Sequence, residues 1–85
     1  MGYRMNEKIL IAIMSGRQDN NFPFDDLRFL VKQLGFNERI KGDHFILTRD
    51  GISEIINIQP VKGKAKPYQV RQVRGIIRKY KLGGI

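Results

Sequence analysis

The sequence predicts an α+β fold with the element order α-α-β-β-β-α. Two segments carry apolar residues at helical spacing, one near the middle and one at the end. Between them lie three short strand-like runs separated by Gly-Asp and Asp-Gly turn signals. At 85 residues the chain suffices for one domain, spanning 1–85, and not for two.

The first predicted helix runs from a cap at Asn6 to about Ser15 and contains the apolar run Ile9 to Met14, with Glu7 favourable at its positive end and Gly16 closing it. Arg17 to Asn21 reads as a polar loop. Phe22-Pro23-Phe24-Asp25-Asp26 marks a second helix start, because proline and early acids suit a first turn. Leu27, Leu30, Val31 and Leu34 then recur at i, i+3, i+4, i+7, and Gly35 ends the helix. Strands are expected over 36–41, 44–49 and 54–59, joined by Gly42-Asp43 and Asp50-Gly51. Residues 60–67 read as a loop carrying three lysines. A last helix over 68–80 shows two stripes. Val70, Val73, Ile77 and Tyr80 make an apolar one; Arg71, Arg74, Arg78 and Lys81 repeat the spacing one residue later and are expected outside. A three-stranded antiparallel sheet with helices on one face matches the α-β-β-β-α layer of double-stranded-RNA-binding domains, here with an extra N-terminal helix.

Charge points to the partner. Residues 1–58 hold eight basic and eight acidic side chains. Residues 59–85 hold eight basic and no acidic ones, so the whole net charge of +8 sits in the last third. That asymmetry suits a polyanion, most commonly nucleic acid, although a solvated helix face has the same composition. The absence of cysteine excludes disulfides and thiolate metal sites and favours a reducing, cytoplasmic setting. No apolar run approaches the length of a membrane-spanning helix.

His44 is the single histidine. Strand alternation sets Phe45 and Leu47 toward the helices and His44, Ile46 and Thr48 on the other face, near a strand end. Histidine exchanges protons near neutral pH, which suits a general base, although on composition alone a lone histidine is more often a surface or packing residue. Phosphate-loop, dinucleotide, serine-hydrolase and zinc-protease motifs are missing, so no cofactor and no metal site are expected. Asp25 and Asp26 read as helix-start residues. The segment from Val61 to Gln69 places Lys62, Lys64 and Lys66 at alternate positions beside Gly63 and the next helix start, a candidate phosphate cradle. Tyr68 either stacks on a base or packs on the domain.

Two stretches resemble a known family. Lys41-Gly42-Asp43-His44-Phe45-Ile46 looks like the Gly-Ser-His motif of HicA toxins, also called YcfA-like proteins. Residues 54–80, EIINIQPVKGKAKPYQVRQVRGIIRKY, resemble the second half of a HicA subgroup. The resemblance covers roughly residues 6–82. It implies a double-stranded-RNA-binding-like fold, cleavage of messenger RNA, a catalytic role for His44, and a HicB-type antitoxin that covers that histidine. Asp43 departs from the family's usual serine and puts an acid beside the expected scissile phosphate.

The function expected from these readings is a metal-independent endoribonuclease in which His44 activates a ribose 2′-hydroxyl. Lys41, Gly42, Lys64 and Lys66 are the expected phosphate-binding residues. Tyr68, Arg71 and Arg74 are expected to contact RNA, the arginines serving alternatively to dock an acidic antitoxin. Two other classes fit the same features: a non-catalytic double-stranded-RNA-binding module, and a basic protein-interaction domain.

Overall fold

A computed structural model describes residues 7–84, which form three α-helices and a three-stranded antiparallel sheet. Asn6, the expected cap of the first helix, lies outside the described residues. Helix α1 spans Glu7–Ser15, α2 Phe24–Gln33 and α3 Pro67–Tyr80; strands β1, β2 and β3 span Asn37–Lys41, His44–Arg49 and Ile52–Ile58. The sheet order is β1-β2-β3, an open meander of sequential neighbours. Among the described residues no helix is long and apolar enough to cross a membrane.

The expected helical stripes form the core. Leu27, Leu30, Val31 and Leu34 of the α2 segment are buried, as are Val70, Val73, Ile76 and Ile77 of α3. They meet Leu47, Ile56 and Ile58 of the sheet and Leu10 and Ile13 of α1 in one cluster. Each such side chain contributes roughly 1.5–3 kcal/mol by leaving water. Phe45 packs edge-on against Phe24, ring centroids 5.1 Å apart, and the Arg28 guanidinium lies 4.7 Å from the Phe45 ring centre. Arg28 also grips Glu38 of β1 through two bonds of 2.6 and 2.7 Å, fixing α2 across the sheet. This pairing, with Lys32 nearby, holds the Glu38 carboxyl below its ordinary range.

Two local differences from the expected elements have clear causes. β3 begins at Ile52, not 54, because Ile52 pairs directly with Arg49 across the Asp50-Gly51 turn. The register then shifts between Leu47 and Arg49, leaving extra β3 residues opposite Thr48. Within that bulge Glu54 accepts bonds from the Tyr80 hydroxyl at 2.6 Å and from Lys79 Nζ at 2.8 Å. The second difference is Asp19–Asn21, expected as loop, which forms a short 3-10 turn. Asp19 there receives both terminal nitrogens of Arg74, at 2.7 and 2.8 Å.

Glu54 makes a pH-dependent contribution to stability. Bonds from Lys79 and then Tyr80 lower its carboxyl from the ordinary 4.5 to about 2. A depressed native value stabilises the fold fully above the unfolded value, and that gain is lost as pH falls through the native one. Glu54→Gln is therefore expected to lower the melting temperature at neutral pH, and the gap from the parent should close between pH 4.5 and about 2. Thermal melts across that range check this; a gap independent of pH would refute it.

Candidate active site

His44 opens β2 immediately after the Gly42-Asp43 turn, paired with Lys41 of β1. The turn requires the left-handed φ of +62° at Gly42, where glycine has no steric penalty. Alternation works as the sequence indicates: Leu47 is buried with Phe45 packed on the core, whereas the His44 side chain is 48% exposed on the face turned from the helices. Ile46 pairs with Asn57 of β3, which puts Asn57 on that same outer face.

There Asn57 Oδ1 lies 3.1 Å from His44 Nδ1. An amide oxygen only accepts, so Nδ1 donates in this contact, which in the neutral ring leaves the lone pair on Nε2. Nε2 is 3.8 Å from Asp43 Oδ1, too far for a hydrogen bond. Asp43 is itself held by Gln59, whose Nε2 donates to Oδ2 at 2.7 Å. Gln59 Oε1 in turn accepts from Lys66 Nζ at 3.3 Å. The bond from Gln59 first, then Asp43's own backbone N–H and the nearby charge of Lys66, lower the Asp43 carboxyl below its ordinary range. One polar chain thus runs Lys66, Gln59, Asp43, with the His44–Asn57 pair beside it.

His44 stands at the mouth of an open cleft of about 300 Å³ between the end of β3 and the start of α3. Ile55, Asn57 and Gln59 line it from the strand; Tyr68, Gln69 and Gln72 line it from the helix. On its other side His44 borders a shallow depression with Lys41, Gly42 and Asp43.

The structure thus brings together Lys41, Gly42, His44, Lys66 and Tyr68 around this ledge. Lys64 and Arg74 make their contacts elsewhere. Lys62-Gly63 is a tight turn, φ +52° and +78°, closed by reciprocal bonds between Val61 and Lys64. The turn is latched onto the α1–α2 connection: Phe24 N–H donates to Gly63 O, and Ala65 N–H to Phe22 O. The amides of Lys64, Ala65 and Lys66 are all engaged within the chain, so the loop is not the extended amide cradle its lysines suggested. Lys64 pairs with Pro23 on that latch. Arg71 is exposed on α3. Arg74 departs from the outward stripe expected of it. Its side chain is only 13% exposed, bonded to Asp19 and to Ile13 O, because Asp19 of the α1–α2 connection meets it.

Asn57, Gln59, Gln69 and Gln72 are site residues the sequence reading passed over. Asn57 carried a signal: it is the single amide inside the apolar run Ile55-Ile56-Asn57-Ile58 and falls on the outward alternation. The three glutamines carried none. Among the described residues no three His, Cys, Asp or Glu side chains cluster as metal ligands. Comparison with family models, curated proteins and solved structures finds no match to this chain.

Proposed function

We propose that this protein is a metal-independent endoribonuclease of the HicA type, with a double-stranded-RNA-binding-like layout extended by α1. The observation that carries the reading is the His44 geometry: an exposed imidazole oriented through Nδ1 by Asn57, with Nε2 free as a base. In the proposed reaction Nε2 takes the proton of a ribose 2′-hydroxyl. The 2′-oxygen bonds to the adjacent phosphorus, the bond to the 5′-oxygen breaks, and that oxygen leaves with a proton from water or an ammonium. The products are a cyclic phosphate and a 5′-hydroxyl. Asp43 stabilises the imidazolium that forms. Lys41 and Lys66 flank the ledge and offset the charge growing on the phosphate. The expected partner in a cytoplasmic setting is an acidic antitoxin, of HicB type, that covers His44.

Asp43 also favours a second reading. Gln59 holds its carboxylate in front of Nε2, where it competes with a phosphate, as suits a double-stranded-RNA-binding module without catalysis. One experiment separates the two. The purified protein should cleave a messenger-like single-stranded RNA in excess EDTA, leaving cyclic-phosphate ends. Tight binding with intact RNA would support the module; activity lost to EDTA and restored by magnesium would overturn the 2′-hydroxyl route.

A further inference from the structure

We infer that the cleft beside His44 is a nucleobase subsite that takes one unpaired base next to the scissile phosphate, with adenine preferred. The inference rests on the RNA-cleaving reading for its substrate and adds where a base sits and which side chains read it.

The cleft is chemically unlike its surroundings. The protein carries +8 net charge, yet beyond His44 at the mouth none of the side chains lining the cleft is charged. Phosphate-binding charge lies outside it, on Lys41 and Lys66. At about 300 Å³ it sits at the small end of ligand pockets, where a single ring system belongs. Two apolar surfaces flank it and remain wet: Ile55 is 60% and Tyr68 56% exposed. A phenol ring so placed offers a stacking face that any base can use.

The amides then supply recognition. Gln69 is only 1% exposed, and its Oε1 accepts the Lys66 N–H. The residue lines the cleft. Gln72 reaches the Ile55 carbonyl at 3.5 Å, the outer limit of a hydrogen bond, so its amide turns to a better partner at little cost. Neighbouring donor and acceptor groups of this kind match adenine, which presents its N6 amino donor beside a ring-nitrogen acceptor. A base still stacked in a duplex cannot enter, so the preferred strand is single.

The test uses the full chain and short adenine-rich RNA strands whose 2′-oxygens are methylated, so that nothing is cut. Fluorescence anisotropy compares the intact strand with versions carrying one abasic position. One position should matter, weakening binding by roughly 5- to 150-fold, the range for a single base–aromatic stack. Uracil at that position should bind more weakly than adenine. Tyr68→Ala should abolish the abasic penalty and Tyr68→Phe should keep it; Gln72→Ala should erase the preference for adenine over uracil. Equal affinity for every abasic strand, or a penalty that survives Tyr68→Ala, overturns the subsite. Because these strands cannot react, the outcome is independent of catalysis. A base penalty without cleavage of ordinary RNA keeps the subsite and removes the nuclease reading, and cleavage without a base penalty does the reverse.

Discussion

His44→Ala is expected to slow RNA cleavage roughly 10²–10⁴-fold, the usual contribution of a positioned general base. The fold should survive. The side chain is half exposed, contributes nothing to the hydrophobic core, and makes its one short hydrogen bond to another exposed side chain, Asn57. Its removal opens no cavity, so the melting temperature should stay close to that of the parent. Affinity for RNA should also hold, because lysines and arginines carry the electrostatic attraction. Cleavage rate, affinity and melting temperature must be measured on one preparation. Near-normal cleavage sinks the catalytic assignment. Unfolding returns His44 to a structural role. Loss of affinity with an intact fold favours the non-catalytic RNA-binding module.

Arg74→Ala is expected to act in the opposite sense, destabilising the protein by ~2–3 kcal/mol. Breaking one side of a buried ion pair costs roughly 3–5 kcal/mol; here 13% and 16% of the two side chains stay exposed, which moderates the loss. For a domain of this size the melting temperature should fall by roughly 10–20 °C. Arg74 closes three elements at once, bonding Asp19 with both terminal nitrogens and Ile13 O at the end of α1. The Arg74 bond also lowers the Asp19 carboxyl, so this contribution is complete above the ordinary 3.8 and is lost as pH falls below it. Arg71, three residues earlier and exposed, is the control. Arg71→Ala should leave stability within about 0.5 kcal/mol and reduce the slope of log K against log salt by ~0.7–0.9. A stable Arg74→Ala protein whose salt slope falls like that of Arg71→Ala would return Arg74 to the RNA-binding surface.

These two residues also mark how far the sequence was legible. Periodicity located α2 and α3, because stripes such as Leu27, Leu30, Val31 and Leu34 report burial directly, while α1 was marked by its apolar run and closing Gly16. Turn chemistry located both hairpins, and alternation along β2 put His44 on the outer face. What periodicity cannot report is a partner far along the chain. Arg74 fits a basic stripe by spacing and leaves it because Asp19, 55 positions away, meets it. The partners of Glu54, Lys79 and Tyr80, are likewise 25 and 26 positions away. The polar chain from Lys66 through Gln59 to Asp43 joins a turn, a strand end and a helix cap, none of which announces the others. The lysine loop was misjudged for a related reason: alternate lysines describe its charge, whereas its backbone bonds answer to Phe22 and Phe24.

That latch sets a rule on chain length. The Asp50-Gly51 tip projects into open space, where an ideal Cβ on Gly51 meets nothing within 4 Å, so extra residues there would simply lengthen a loop. The connection from β3 to α3 has no such freedom. Between Phe22 O and Phe24 N–H it must deliver Ala65 and Gly63 in register, then begin a helix at Pro67 with Lys66 in reach of Gln59. One added residue would displace either the latch, which covers the buried Phe22, or the ammonium beside the histidine. The spacing from 61 to 67 therefore acts as a ruler, tying the depth of the core on one side to the position of a charge on the other.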